Sequence, residues 1–208
     1  MGRHRDRPSN RQSGSDWTAI AQVGFMARSL PTPATLILES LLLNRLWPNN
    51  PVNRRYRGLA WDYSTRFAVP QPAGAFLMVR RDVWVKLGGF DESFFPVWFE
   101  DVDFCRRIQQ RGLLLYYVPG AVAKHTGAHS ISSLSVEMRR FCWYRSLLRY
   151  SHKHFRAGGF RAVCGGVLVG SLLRSVGESV LRRSLKPMAE YGLVMRLAGR
   201  CLCFGFRL

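Results

Sequence analysis

Acidic residues are scarce in this chain: 13 Asp and Glu stand against 31 Lys and Arg over 208 residues, a net charge of +18. The shortage directs the chain toward anionic partners: nucleic acid, an acidic membrane surface or phosphate-bearing substrates. Cysteine is also sparse. Cys105, Cys142, Cys164, Cys201 and Cys203 are odd in number and contain no Cys-x-x-Cys pair, so neither a disulfide framework nor a zinc site is expected, and a reducing compartment is. The longest charge-free apolar run, Ala162 to Leu173, is shorter than the roughly 20 residues that span a bilayer, so no transmembrane helix is expected. Met1 to Ser15 is polar and basic with no apolar centre, so no secretory signal is expected either. No internal repeat is present. No helix-turn-helix, zinc or ribonucleoprotein signature accompanies the positive charge, and no specific nucleic acid partner is expected.

What the chain does have is material for a core. Hydrophobic residues make up 47% and aromatics 12%, which excludes wholesale disorder and suits one domain. Residues 1–26 read as a disordered basic arm. Thr35 is a candidate cap for a helix with an apolar stripe at Leu36, Ile37, Leu41, Leu42 and Leu46, stopped at Pro48 and Asn49-Asn50-Pro51. Asn53 to Arg57 reads as a solvated basic loop that could also meet a phosphate. Gly74 to Val79 and Leu113 to Val118 are short apolar runs that predict buried strands. Between them, Asp82 is a candidate cap for a helix from Val83 to Leu87 ended by Gly88-Gly89, and Gly112 is the expected C′ residue of a second helix.

That second helix opens on the one acidic cluster of the chain, Trp98-Phe99-Glu100-Asp101-Val102-Asp103. Val102, Cys105 and Ile108 share one helical face. Acids in a first turn complement the helix dipole and cap its free amides, so the cluster fits an ordinary helix start as well as a chemical site. Further on, His125, His129 and Ser130 fall in a glycine-containing loop after a strand, where functional side chains are often placed. A helix is expected from Glu137 to about His154, with Phe141, Tyr144, Leu148 and Tyr150 as contacts. From Arg139 to Leu208 there are fourteen Lys or Arg against two acids, a balance of +12. Apolar blocks alternate there with arginines, as in a basic amphipathic helical tail over 156–208. Such a tail suits an anionic membrane surface, or equally the completion of a domain or dimer.

Taken in order, Gly74-Ala75-Phe76-Leu77-Met78-Val79-Arg80-Arg81, Leu87-Gly88-Gly89-Phe90-Asp91-Glu92-Ser93-Phe94-Phe95, Phe99-Glu100-Asp101-Val102-Asp103, Tyr117-Val118-Pro119 and His125 resemble the C-terminal half of a family-2 glycosyltransferase. The similarity is to the bacterial rhamnosyltransferase-like branch, and extends to Asn49 to Tyr56 and Tyr144 to Tyr150. It implies an α/β fold: the acceptor half of a GT-A domain over 27–155, with an incomplete sheet, followed by the helical basic segment. It implies inverting transfer of a sugar, with rhamnose suggested, from a nucleotide-sugar to a glycan or lipid-linked acceptor in cell-surface polysaccharide synthesis. With the reducing compartment and the basic amphipathic tail, a cytoplasmic enzyme, peripheral at the inner face of the membrane, is expected. By the same resemblance Asp101 is the catalytic base, with Glu100 beside it in an acceptor-binding or orienting role. Gly74, Ala75, Trp98 and His129 contact substrate. His125, 24 positions after Asp101, completes the coordination of a divalent metal, Mn²⁺ or Mg²⁺. Asp103 is expected to support the helix start.

Nothing before residue 27 resembles the family's nucleotide-binding half with its Asp-x-Asp, and most metal ligands are expected there. The chain therefore reads as a truncated gene product, a fragment or a mis-called start. The alternative readings are a non-catalytic remnant of the fold and a basic protein that binds anionic membrane or nucleic acid. A homodimer is among the expected states.

Overall fold

The computed structural model describes residues 25–123 and 134–206, so the basic arm up to residue 24 lies outside it, as do His125, His129 and Ser130. The elements follow from local signals. After β1 (Ala27–Arg28), Thr32 accepts a hydrogen bond from the Thr35 amide at 3.2 Å and Pro33 occupies the first turn, which starts α1 (Pro33–Ser40). The cap is Thr32, not Thr35. Leu42 then turns left-handed, with φ of 61°, and separates α2 (Leu43–Leu46) from α1, where one continuous helix was expected. Asn50 caps α3 (Pro51–Tyr56) by accepting from the Asn53 amide at 2.8 Å. The basic cluster at Arg54 and Arg55 is thus on a helix, its arginines exposed, rather than in a loop.

Next come β2 (Phe67–Ala68), β3 (Gln71–Pro72) and α4 (Arg81–Leu87), which ends on Gly88 and Gly89, both with positive φ, as the sequence predicts. Arg80 occupies the cap position of α4 without a side-chain bond, and Asp82 lies inside its first turn, paired to Arg80 at 2.9 Å. Then follow α5 (Glu100–Gln110), with Gly112 at φ of 71° behind it, and β4 (Tyr116–Tyr117). Three helices complete the described chain: α6 (Val136–His154), capped by Ser135, α7 (Ala157–Arg182) and α8 (Lys186–Phe204).

Sheet is confined, among the described residues, to two antiparallel ladders, β1 with β3 and β2 with β4. The strand expected over Gly74 to Val79 is not formed. Gly74–Phe76 is a 3-10 turn, the Gly74 amide is bonded to a side chain, and Met78 is exposed. An apolar run becomes a strand only where a neighbouring strand takes up its amides, and no described strand runs beside this one. For the same reason Leu113 to Val118 contributes only the two residues of β4, and Leu114 and Val118 are exposed.

One core joins the helices. Leu36 of α1, Phe99, Val102 of α5, Tyr144, Leu147 and Leu148 of α6, Val163 and Val167 of α7, and Val194 and Leu197 of α8 belong to a single buried cluster, continuous across residue 156. Helix α7 has 26 residues and, by length and composition, could cross a membrane. The sequence count stopped at Arg161 and Arg174, whereas the helix runs through both. Its sides are nevertheless packed on protein: Arg174 donates to the Tyr144 hydroxyl and to the Glu39 carbonyl, and Ser171 and Ser175 are buried.

Glycines set the distance between α7 and α1. An added Cβ would lie 3.1 Å from Pro33 at Gly159 and 3.3 Å from Ile37 at Gly166, and at Gly170 it would overlap the Ser40 carbonyl. Gly170→Ala should therefore lower stability by about 1–3 kcal/mol, the usual cost of overpacking. Gly165→Ala, where an added Cβ meets nothing within 4 Å, should raise it by about 0.5–1 kcal/mol by removing helix-interior glycine. Urea unfolding of the two variants side by side measures both; equal effects would dismiss the close approach.

Candidate active site

The acidic cluster sits at an abrupt bend. Trp98 and Phe99 both have left-handed backbones, φ of 77° and 71°, a conformation that costs bulky residues on the order of 1–3 kcal/mol each. Tertiary contacts hold it. Arg145 of α6 donates to the Phe95 carbonyl and Ser146 to the Val97 carbonyl at 3.2 Å. Phe99 is buried against Trp143 and Tyr150, with ring centroids 5.4 and 5.5 Å apart, and Trp98 stands edge-on to Trp143 at 5.7 Å. The bend delivers Glu100 and Asp101 to the first turn of α5, where free amides and the helix dipole favour negative charge.

Asp101 is held by two backbone amides, one from that turn and one from Gly74. Its Oδ2 accepts from the Gly74 amide at 2.9 Å and its Oδ1 from the Val102 amide at 2.8 Å. A Cβ at residue 74 would lie 2.8 Å from the Asp101 Cβ, so glycine is what lets the backbone approach. An ionised carboxylate has about four acceptor positions, which leaves room for a hydroxyl donor. Gly74 also lines an open cleft of about 380 Å³ with Leu77, Val79, Arg81, Trp84 and Phe90.

Glu100 faces elsewhere, into a second cleft of about 410 Å³ beside Phe94, Phe95 and Pro96. One of its oxygens is buried without a hydrogen-bond partner. Burial, reinforced by the Asp101 charge next to it, pushes its carboxyl above the usual carboxylate range. Of the residues singled out in the sequence, then, Gly74 and Asp101 are in contact, Ala75 is exposed in the same 3-10 turn, and Trp98 packs on Trp143. His125 and His129 lie outside the described residues.

Among the described residues no group of three or more His, Cys, Asp or Glu could hold a metal ion.

Beneath the cluster lies a network that the sequence did not reveal. Asp103 is 0% exposed; its Oδ2 accepts from Arg107 Nε at 2.7 Å, and its Oδ1 lies 2.7 Å from His154 Nε2 and 2.8 Å from Lys153 Nζ. Arg107 also donates to the Leu87 and Gly89 carbonyls at 2.6 and 2.7 Å, and Lys153 reaches Asp91 at 2.7 Å. Burial alone would raise the Asp103 pKa, but the hydrogen bonds from His154, Lys153 and Arg107 hold it below the ordinary value. Asp103 fastens α5 to α6 and, through Arg107, to the end of α4. Arg107 is signalled by its i,i+4 spacing. Lys153 and His154, about fifty positions away, carry no sequence signal.

With this geometry in view, comparison with known proteins identifies the segment. Residues 52–146 match the model described as "Glycosyltransferase like family 2". The chain is also similar to rhamnosyltransferases. It is 36% identical over 146 residues to an N-acetylglucosaminyl-diphospho-decaprenol L-rhamnosyltransferase of Mycobacterium tuberculosis, covering 69% of this chain and 46% of the relative. It is 37% identical over 79 residues to the rhamnosyltransferase WbbL of Escherichia coli, covering 38% of this chain and 29% of that protein. The chain spans less than half the length of these relatives. No solved structure matches it.

A carboxylate whose pKa is lowered on folding adds stability that is complete above its unfolded value, near 3.9, and is lost as pH falls through the lower folded value. Asp103→Asn should therefore cost about 3–5 kcal/mol at neutral pH, the penalty for breaking a buried ion pair from one side. The deficit should begin to shrink as pH falls below about 4, where the unfolded carboxylate takes up a proton, and go on shrinking until pH passes the lower folded pKa. Denaturant unfolding across pH checks this, and a deficit independent of pH would contradict it.

Proposed function

We propose that the chain supplies the acceptor side of a GT-A-type glycosyltransferase that moves a sugar, rhamnose by likeness to its relatives, from a nucleotide-sugar to a lipid-linked glycan with inversion. The observation that carries this reading is the Asp101 carboxylate, fixed by the Gly74 and Val102 amides beside an open cleft, inside the segment that matches the family. In this role Asp101 takes the proton from the acceptor hydroxyl as its oxygen bonds to the anomeric carbon. The bond from that carbon to the diphosphate breaks, and the diphosphate leaves with the electron pair.

The cleft suits such an acceptor. Trp84 and Phe90 offer apolar faces and Arg81 a cation for a diphosphate. Glu100, with its raised pKa, is assigned to orienting the acceptor from the neighbouring cleft. Trp98 and Ala75 complete the acceptor side, and His125 and His129 are assigned to the metal and substrate loop. The positive charge and the lipid-linked acceptor support, in this reading, a location at the cytoplasmic face of a membrane.

The chain should bind a prenyl-diphospho-N-acetylglucosamine analogue, followed by tryptophan fluorescence in detergent, with Asp101→Asn binding within about twofold of wild type. With a nucleotide-binding half supplied, transfer from a nucleoside-diphosphate rhamnose should fall by about 10²–10⁴ in Asp101→Asn, the usual share of a general base. Gly74→Ala, whose Cβ displaces Asp101, should lose transfer comparably. Transfer by Asp101→Asn at the wild-type rate would remove the base assignment, and absence of acceptor binding would favour a non-catalytic remnant.

A further inference from the structure

Helix α7 is covered on one side by α1, through Gly166 and Gly170, and on another by α8, where Gly199 approaches Leu168. The face left over is apolar. Val169, Leu172, Leu173, Val176 and Val180 recur at helical spacing and are all exposed, Leu173 at 61% and Val180 at 71%. The stripe continues into the α7–α8 turn, where Leu181 and Leu185 are 85% and 75% exposed. The two charged residues of this stretch turn away from it. Arg174 is bonded to Tyr144 and the Glu39 carbonyl, and Glu178 accepts from Tyr191 at 2.8 Å and Arg182 at 3.0 Å. Cations frame the stripe at both ends, Arg161 on one side and Arg182, Arg183 and Lys186 on the other.

Resting on the membrane-linked acceptor reading above, we propose that this face of α7, with the α7–α8 turn, docks the protein in the plane of a bilayer containing anionic lipid. The apolar stripe enters the boundary between headgroups and acyl chains, and the framing arginines and lysine meet lipid phosphates. Crossing the bilayer is disfavoured because only one stripe of α7 is both free and apolar. The remaining faces hold Arg174, Ser171 and Ser175 against protein partners. Pairing of two copies through the same stripe is disfavoured by charge. Both ends are basic, so either orientation of two α7 helices brings like charges together, whereas an anionic surface neutralises them.

The test is flotation of the full chain with vesicles of phosphatidylcholine alone and with added phosphatidylglycerol. The chain should float with the anionic vesicles and be weakened by high salt. Leu173→Glu with Val176→Glu should reduce binding by at least about tenfold. Arg182→Ala with Arg183→Ala should reduce it by about fivefold per arginine, and on anionic vesicles only. Because these side chains are exposed, the variants should keep wild-type circular dichroism. They should also bind the detergent-dispersed acceptor analogue as wild type does. Wild-type flotation by the stripe variant would overturn the proposal. So would a concentration-dependent dimer in lipid-free solution, by sedimentation, that the same substitutions dissolve. Vesicle binding with these dependences but without acceptor binding would instead overturn the functional reading and leave the docking face standing.

Discussion

Asp103 is the point to which three parts of the chain are tied. Its carboxylate meets Arg107 on its own helix and Lys153 and His154 at the end of α6, while Arg107 continues to the carbonyls that close α4. A carboxylate removed from water is costly unless its oxygens are satisfied, and here they are, by charged or polar partners on two helices. The order this imposes propagates upward. With α5 clamped to α6, the left-handed backbone of Trp98 and Phe99 is held under Arg145 and Ser146, and the first turn of α5 presents Asp101 to the Gly74 amide. The strain of the bend is thus borne by a buried ionic network and an aromatic cluster rather than by local preference.

The two neighbouring acids are consequently unlike. Asp101 is bonded through both oxygens to amides beside one cleft, whereas Glu100 is partly buried, keeps one oxygen without a partner, and has its pKa raised by that burial. Adjacent positions on a helix point about 100° apart, so a pair that reads as one motif becomes two groups with separate surroundings. The family match and the Asp101 geometry bear on the same reading from independent directions, one from residue identity and the other from hydrogen bonding.

Signals carried by a few consecutive residues were legible in the sequence. Gly88, Gly89 and Gly112 end their helices with positive φ, Val102, Cys105 and Ile108 face the core, and α6 runs to His154. Pairings across long separations were not. The apolar run from Gly74 forms no strand because a strand needs a partner outside itself, and α1 and α2 separate at Leu42 in spite of a continuous apolar pattern. The family resemblance was legible as well, since it rests on residues in order and requires no contacts.

By itself, the sequence determined the charge balance, the helix ends, the acidic cluster and the likeness of residues 52–146 to a glycosyltransferase family. Each depends on composition or on neighbours within a turn or two. Only the tertiary structure decided that Asp103 is a buried clamp, that Gly74 and Asp101 meet, and that α7 keeps one apolar face uncovered. Those outcomes depend on which distant side chains share a desolvated space, and burial, which sets the energy of every polar group involved, is a property of the packed chain.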